Sequence, residues 1–340
     1  PRARYGAPLA HIESGEFAEA LGMLEELLMH HTDERAAELA ASLIERADVP
    51  LSLRLRAARL AGQAGDPRPG VSELEPAWRF FPAGRYVIGA LRDPFGSAAP
   101  NPQRVTLEEF HVARYPVTVR QFLRFWEDRE GYASQRWWTP QGWAWKQAQG
   151  IAQPFRWGEP DWMALNQPVA GIAWYEAQAF CNWLSQRRRD ARWLRGGQVI
   201  RLPSEAEWEV AATWDPRTQQ QRLWRPVEAQ IWQNVVEAGI GRSSPVGMFP
   251  EGASASGVFD LAGNLWEWCA TRYADYPQEA TRLQIDFASN VEGPVVRGGA
   301  YNIRNALSGW GARNWYFPNL HQYFTGFRVV LASKGFWGRG

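Results

Sequence analysis

Cysteine, histidine and lysine are scarce in this sequence, and the scarcity of each argues against particular kinds of scaffold or metal site or points to the source of the gene. Two cysteines among 340 residues are too few for a disulfide scaffold or a cysteine-rich zinc site, and they fit a reducing compartment. The five histidines include one adjacent pair, His30 and His31, whose side chains would leave a helix in different directions. Lys146 and Lys334 are the only lysines, so nearly all of the 37 basic residues are arginine, which suggests either a GC-rich gene or a thermophilic host or its phage.

No run of apolar residues approaches the roughly 18 that a membrane span needs, and the net charge is only +1. A chain with so balanced a charge lacks the basic surface that nucleic acid or an anionic membrane would attract. The sequence begins at Pro1 and shows no signal peptide, so we expect a fragment or a processed form, with an upstream domain of the same polypeptide as an option. We predict a cytoplasmic protein and leave the location otherwise open.

The composition that remains is globular and rich in aromatic residues. Hydrophobic residues make up 45% and charged residues 21% of the chain, which excludes a disordered, fibrous or coiled-coil protein. The 20 Trp, 10 Tyr and 16 Phe residues provide ample material for a core. The length allows one large domain with a smaller one.

The pattern of apolar residues divides the chain into two regions and a tail. Residues 1–76 form a helical region, in which apolar spacing over 14–65 predicts three helices stacked as hairpins. Residues 77–333 contain short alternating segments separated by Pro and Gly turns, which predict strands. Residues 334–340 are a tail.

Three helices are predicted within the second region. Two of them begin at capping boxes, at Thr118 and at Ser204. The third spans about 174–188 and carries Cys181 on its apolar face, so this thiol is expected in the core rather than as a nucleophile. Residues 133–165 hold six tryptophans with little periodicity, and we interpret them as a long insertion. Its indole rings are expected to pack on the domain, and an aromatic groove for a ligand is the alternative.

Seven motifs follow one another in a characteristic order over about residues 78–333. Together they resemble the domain of the formylglycine-generating enzyme and sulfatase-modifying-factor family. The motifs are Phe81–Gly84, Tyr115–Thr118, Gln167–Val169, Arg201–Glu209, Gly257–Trp268, Arg297–Gly299 and Gly326–Arg328.

The resemblance implies an α+β, C-type-lectin-like fold with a small twisted antiparallel sheet, two main helices and much irregular chain. A small helical region precedes it here. Trp266 and Trp268 would share one face of a strand because side chains alternate along a strand. Arg297 and Arg328, in the two last motifs, could pin both ends of the intervening segment into the sheet.

Catalysis is poorly supported by the residues that the family uses for it. The resemblance implies copper bound by two cysteines between the last two motifs, or iron bound by clustered histidines. Residues 300–325 contain no cysteine, Cys269 has no partner in sequence, and the histidines are scattered. We therefore predict a protein that is not an enzyme and that requires no cofactor.

A structural calcium ion is implied by the resemblance at Asn264 and Glu267. A second position, near Asn234, lacks the acidic residue that the family places there, and Glu237 is the only nearby carboxylate. Oxygen ligands suit Ca²⁺. The alternative is that Asn264 and Glu267 only form hydrogen bonds with turn backbone.

The segment 300–325 has the composition of a binding surface. It holds four of the ten Asn residues and seven aromatic residues, with no Asp or Glu. Tyr and Trp give large contact area at low entropic cost, and Asn gives adaptable hydrogen bonds. Its setting resembles the variable region of proteins diversified by diversity-generating retroelements, whose mutated positions carry a limited set of residues. The positions that fit this set are Tyr301, Asn302, Ile303, Asn305, Ala306, Tyr316, Phe317, Asn319, Leu320, His321, Tyr323 and Phe324.

The sequence thus favours a ligand-binding protein that displays an exposed, diversified segment on a rigid scaffold, with a protein or cell-surface target. On this interpretation, truncating Asn302, Tyr316 or Tyr323 to Ala would barely change stability. One alternative is a copper- or iron-dependent oxidase of the formylglycine-generating or sulfoxide-synthase type. Others are a sensor domain of a bacterial multidomain protein, and a degenerate family member whose aromatic loop packs inward.

Overall fold

The structure is a computed structural model, and it describes most of the chain. Predicted features that lie outside the described residues include His31 and the tail 334–340. The described residues are 3–30, 33–96, 100–194, 196–222, 231–274, 276, 280–284, 286–288 and 293–333.

Four helices, not the predicted three, form the N-terminal region. The extra helix lies ahead of the predicted ones and contains Pro8 and Gly6, both of which lower helix propensity and conceal it in the sequence. The helices are α1 (Ala3–Ser14), α2 (Phe17–His30), α3 (Glu34–Ala41) and α4 (Leu51–Ala64).

The helical region shares its hydrophobic core with the second region. Met248 and Phe249 are buried among the side chains of the helices. Arg54 of α4 donates to the Met248 carbonyl oxygen at 2.8 Å, and Asn166 Nδ2 donates to the Ala58 carbonyl oxygen at 2.8 Å. The helices are therefore packed against the larger region rather than tethered to it, while the predicted boundary at residue 76 stays a prediction.

Two four-stranded sheets organise the second region. The first sheet is antiparallel, with strand order β1-β4-β12-β5. The second has order β10-β9-β8-β11, and its last pair, β8 with β11, is parallel. Two antiparallel pairs, β2 with β3 and β6 with β7, complete the strands. Their bounds are β1 (Trp78–Phe81), β2 (Gly84–Ile88), β3 (Gln103–Leu107), β4 (Phe110–Ala113), β5 (Gln198–Arg201), β6 (Trp214–Asp215), β7 (Gln220–Gln221), β8 (Trp266–Arg272), β9 (Pro294–Gly298), β10 (Gly309–Trp315), β11 (Thr325–Gly326) and β12 (Val330–Ser333).

The helices of this region begin where their sequence caps predict. Thr118 accepts from the Gln121 backbone N–H and starts α5 (Val119–Glu127) with a complete capping box. Ser204 and Glu207 do the same for α8 (Glu205–Thr213). The remaining helices are α6 (Pro140–Ala148), inside the insertion, and the long α7 (Trp174–Asp190).

The main core is formed by α5, α7 and residues of both four-stranded sheets. Trp266 and Trp268 are both buried in it and belong to the same cluster, as expected for side chains on one face of β8. Cys181 is fully buried on α7, which confirms the expected core thiol. Small antiparallel sheets, two main helices and much irregular chain after a helical region confirm the expected α+β architecture. No helix in the described part of the chain is long and apolar enough to cross a membrane.

One carboxyl group is buried in this core without a cationic hydrogen-bond partner. Glu176 Oε1 accepts from the Tyr132 hydroxyl at 2.6 Å, and Oε2 accepts from the Ala173 backbone N–H at 2.7 Å. Burial raises the pKa of Glu176 from 4.5 to about 7, against the opposing effect of these donors and of Lys146. The folded protein therefore holds a proton here that the unfolded chain releases at lower pH.

We predict that Glu176→Gln removes part of the pH dependence of stability. Because the folded pKa is raised, the wild-type free energy of unfolding falls as the pH rises from about 4.5 to about 7 and levels off above it. Glutamine is neutral and can serve both hydrogen-bond partners, so the variant should be more stable than wild type at pH 8 by about 1–3 kcal/mol. Urea denaturation from pH 5 to pH 8 measures this, with the exposed Glu127→Gln as control. Parallel pH profiles of wild type and Glu176→Gln would contradict it.

Candidate functional site

The segment between β9 and β11 is held at three points by buried arginine side chains. Arg297 lies in β9, Arg313 in β10, and Arg328 two residues after β11. Each of the three is less than a tenth exposed. An unpaired guanidinium would be costly at such sites, so each must be neutralised by a nearby carboxylate.

Glu205, the first residue of α8, binds two of these arginines. Arg297 Nη1 donates to Glu205 Oε1 at 2.7 Å, and Arg313 donates to both carboxylate oxygens at 2.8 and 3.0 Å. Arg297 also reaches Glu209 one helical turn later, at 3.1 Å. Burial raises the pKa of Glu205, but the two guanidinium groups outweigh it and hold the pKa below its ordinary value.

Arg328 is neutralised by Glu267 of β8. Its Nε and Nη2 atoms each donate to one carboxylate oxygen at 2.6 Å, and Trp208 Nε1 donates to Oε2 at 2.7 Å. Arg328 Nη2 also donates to the Phe259 carbonyl oxygen at 2.7 Å. The two flanking motifs therefore pin the segment as expected, and Arg313 adds a third attachment. The segment is divided into a first loop, residues 299–308, and a second loop, residues 316–324.

Aromatic rings of the second loop pack against one another and against the insertion. The centroid of the Tyr323 ring lies 5.7 Å from those of Trp162 and Phe324. Phe324 lies 5.6 Å from Tyr316, which rests on Trp268 at 6.3 Å. We call the surface formed by this loop and the insertion the aromatic patch; its members are Trp162, Tyr316, Phe317, Tyr323 and Phe324.

Tyr301 lies beneath the aromatic patch. It is 5% exposed, and its ring contacts Trp162 and Tyr323. Its backbone N–H donates to the Asn264 carbonyl oxygen at 3.0 Å, which fixes the chain close to the core. The prediction that Tyr301 is an exposed binding residue is therefore wrong. Tyr316 and Tyr323 are half-buried and pack against neighbouring rings, so we now expect their truncation to lower stability.

The other predicted residues of the second loop differ in exposure. Phe317 is 43% exposed and its ring packs on Trp315 at 5.3 Å. Asn319 and Leu320 are half-buried. His321 lies between the rings of Trp145 and Phe155, and burial lowers its pKa. Among the described residues its Nδ1 atom has no hydrogen-bond partner.

The first loop brings the remaining predicted residues to another part of the surface. Asn302 and Ala306 are exposed, and Ile303 and Asn305 are half-buried. Asn305 Oδ1 accepts from Gln233 Nε2 at 2.6 Å, and its backbone N–H donates to Glu237 at 2.8 Å. Asn302 and Ala306 are thus available to a ligand, whereas Asn305 is already held by the protein.

The sequence analysis singled out neither Arg156 nor Arg313, and it included Trp162 only among the six tryptophans of the insertion. Trp162 and Arg156 belong to the insertion, and the Arg156 guanidinium lies 5.3 Å over the Tyr323 ring. Arg156 adopts φ +59°, a strained conformation for a residue other than Gly, Asn or Asp, and no local motif signals it. Arg313 was missed because its carboxylate partner lies 108 residues away in sequence. The insertion therefore packs on the domain, which is the interpretation favoured from the sequence, and it contributes Trp162 to the aromatic patch.

The described residues do not fit a copper site formed by two cysteines. Cys181 and Cys269 are buried in different hydrophobic clusters. Burial raises the pKa of both thiols, whereas a thiol must lose its proton to bind copper. We therefore derive no reaction step through copper.

The described residues do not fit a histidine-bound iron site either. His11 contacts Glu16, His111 packs on Phe80, and His321 lies in the second loop. In the described ranges, no group of three or more His, Cys, Asp or Glu side chains could hold a metal ion.

The predicted calcium ligands have protein partners. Asn264 Oδ1 accepts from the Ser244 backbone N–H at 2.9 Å, and both Glu267 oxygens are bonded to Arg328. The Asn234 Oδ1 and Ser244 Oγ atoms nearby are buried without a partner among the described residues. These neutral oxygens include no carboxylate, which Ca²⁺ sites ordinarily contain, and they suit buried water better. Asn264 and Glu267 therefore act as structural hydrogen-bond acceptors here.

Comparison with known proteins identifies the domain. The family model for the sulfatase-modifying factor enzyme 1-like domain matches residues 65–333. Hercynine oxygenase of Mycolicibacterium smegmatis is 30% identical over 284 residues, which cover 77% of this chain and 62% of that protein. Inactive C-alpha-formylglycine-generating enzyme 2 of Mus musculus is 28% identical, covering 62% of this chain and 73% of the relative.

The match covers only part of the hercynine oxygenases, and a solved structure has a similar fold. The chain spans between 53% and 62% of the length of the three hercynine oxygenases that it matches. Among solved structures, Treponema denticola variable protein 1 superposes with a TM-score of 0.53 and 20% identity, covering 76% of this chain and 96% of the other. At 20% sequence identity, the similarity to this solved structure supports the fold alone.

The prediction that the protein is not an enzyme is overturned by these relatives. The hercynine oxygenases, which are 28–30% identical to this chain, are enzymes. Missing cysteines and scattered histidines were therefore insufficient grounds for excluding catalysis, since family chemistry is not confined to one set of ligands.

We predict that Arg313→Ala destabilises the protein by about 3–5 kcal/mol. The substitution leaves the buried Glu205 with Arg297 alone and removes the central attachment of the segment. Arg304→Ala, an exposed arginine in the first loop, is the matched control and should change stability by less than about 0.5 kcal/mol. Chemical denaturation measures both. Equal effects of the two substitutions would show that the Glu205 pair does not hold the segment.

We predict that Tyr316→Ala and Asn302→Ala affect stability differently. Tyr316 packs on Trp268 and Phe324, so its truncation should cost about 1–3 kcal/mol. Asn302 is exposed and its truncation should stay within about 0.5 kcal/mol. Melting temperatures of the two variants compare them directly. A neutral Tyr316→Ala would mean that the second loop is detached from the core in solution.

Proposed function

We propose that this chain, which belongs to the sulfatase-modifying factor enzyme 1-like family, uses the aromatic patch to recognise the substrate of an oxygenase- or oxidase-type enzyme. The observation that carries the proposal is the combination of partly exposed aromatic rings with a segment fixed by three buried arginines. A surface fixed in this way loses little conformational entropy when a ligand binds.

The chemistry of the patch suits a ligand with a flat or apolar part and polar groups at its edge. Tyr323 and Phe324 offer ring faces and edges, and Asn319 offers an amide on the same loop. Since relatives include hercynine oxygenases, oxygenation of hercynine is the first reaction to test. The described residues form neither the two-cysteine copper site nor the histidine-bound iron site, so the role assigned to the aromatic patch is recognition of the substrate.

A second candidate is a diversified binding surface directed at a protein or a cell-surface structure. Four Asn and seven aromatic residues in 300–325, with no acidic residue, favour it. Asn302 and Phe317 are exposed on the two loops, where substitution would leave the arginine attachments intact. Both candidates use the same segment, so they differ in ligand rather than in location.

We predict that the protein binds hercynine and that Phe317→Ala weakens binding about tenfold, because Phe317 is the most exposed ring of the patch. Isothermal titration calorimetry of the whole chain, with and without iron(II), measures the affinity. Trp193→Ala removes a 52% exposed aromatic side chain outside the patch and is the matched control. Oxygen consumption with iron(II), hercynine and a thiol reports turnover.

The outcomes separate the two candidates. Hercynine binding that is lost in Phe317→Ala and kept in Trp193→Ala supports the proposed function. Absence of both binding and oxygen consumption contradicts it. Selection from a peptide-display library then tests the second candidate, which requires enriched peptides whose binding depends on Phe317 and Asn302 but not on Trp193.

A further inference from the structure

A cleft of about 370 Å³ lies between the first loop and the chain that follows β2. Leu91 and Pro94 form one wall, and Ala306 and Leu307 form the other. Its volume is at the lower end of the roughly 300–1,000 Å³ that is typical of small-molecule sites. None of the five members of the aromatic patch lines it.

The absence of a side chain at Gly311 allows the chain at residues 91–92 to lie directly against β10. Gly311 lies in the β10 bulge between Gly309 and Arg313, where the pairing with β9 shifts register. A Cβ atom at residue 311 would overlap the Arg92 carbonyl oxygen and would also approach Leu91. The chain at 91–92 therefore packs directly on the backbone of β10, and the cleft opens beside this contact.

Among the described residues, the side chains that line the cleft are apolar except at Arg92 and Ser308. Leu91, Pro94, Ala306, Leu307 and Ala312 supply aliphatic surface, and Leu307 is 38% exposed at the opening. Ser308 is buried, and its hydroxyl is engaged with Gln233 and with the Gly298 carbonyl oxygen. An apolar ligand body would thus replace water against these walls, which is favourable in proportion to the area covered.

Of the cleft-lining residues that the structure describes, Arg92 alone carries a charged side chain. Among the described residues, its guanidinium has no carboxylate or hydrogen-bond partner. Asp93, the next residue along the chain, accepts from the Phe95 backbone N–H, and Glu237 accepts from that of Asn305. Arg92 therefore offers its donors to a ligand, and a guanidinium binds carboxylate and phosphate groups especially well.

We propose that this cleft binds a small amphipathic anion, with its apolar body between Leu91, Pro94 and Leu307 and its anionic group at Arg92. The site goes beyond the proposed function because it uses different side chains from the aromatic patch. Either assignment can fail without the other. A carboxylate and a phosphate ester share the required chemistry, and the choice of probes separates the apolar contribution from the charge.

Hexanoate, hexanamide and inorganic phosphate are the probes. Hexanoate should bind in a saturable manner, and hexanamide, which has the same body without charge, should bind at least about tenfold more weakly. Inorganic phosphate, which has charge without an apolar body, should bind more weakly than hexanoate. Ligand-observed NMR titration of the full chain measures all three.

Substitutions then locate the binding. Arg92→Gln should weaken hexanoate binding about tenfold, and Arg92→Lys should keep most of it. Ala306→Trp, at an exposed lining residue, should fill the cleft and abolish binding. Arg85→Gln, an exposed arginine on β2, and Phe317→Ala, on the patch, are controls that should leave hexanoate affinity unchanged.

Three results would overturn the proposal outright, and a fourth would move the anion to another site. The three are no saturable hexanoate binding up to about 20 mM, which is weaker than any useful small-molecule site; equal affinity for hexanoate and hexanamide; and hexanoate binding that survives both Arg92→Gln and Ala306→Trp. Loss of hexanoate binding in Phe317→Ala would instead assign the anion to the aromatic patch, which also contradicts the cleft. Circular dichroism of each variant confirms that loss of binding is not loss of fold.

Discussion

The carboxylate of Glu205 is the interaction on which the rest of the site depends. It is buried at the start of α8 and accepts hydrogen bonds from Arg297 of β9 and Arg313 of β10. One negative charge thus joins a helix to two neighbouring strands, with Glu209 balancing the second positive charge. Since each partner would be costly to bury alone, the three elements hold one relative position. The first and second loops, which lie on either side of Arg313 in the chain, are positioned by the same contacts.

This arrangement separates residues that maintain the scaffold from residues that face outward. At the other end of the segment, Arg328 and Glu267 form a similar buried ion pair, and Trp208 is an additional hydrogen-bond donor to Glu267. The loops between the attachments can then differ in sequence without moving the sheet. A recognition surface, whether for the substrate of an enzyme or for a macromolecular target, requires this combination of a fixed frame and tolerant loops.

Local signals in the sequence predicted local structure well. The capping boxes at Thr118 and Ser204 start helices, and alternation along β8 places Trp266 and Trp268 in the same hydrophobic cluster, because these patterns depend on neighbouring residues alone. Features that depend on distant partners were missed or misjudged. No local sequence pattern indicates that Arg313 pairs with Glu205. The burial of Tyr301 is likewise not apparent from the sequence, because it involves contact with the distant residue Trp162.

The contact between the N-terminal helices and the second region has a consequence for how the chain unfolds. Met248 and Phe249 complete the core of the helices, so detaching the helices would expose apolar surface on both sides. Asn166 binds both the Ala58 carbonyl oxygen and Asp66, which ties the end of the insertion to the same contact. Separating the two regions would therefore remove apolar contacts from both, so we expect them to unfold together rather than as independently folded fragments.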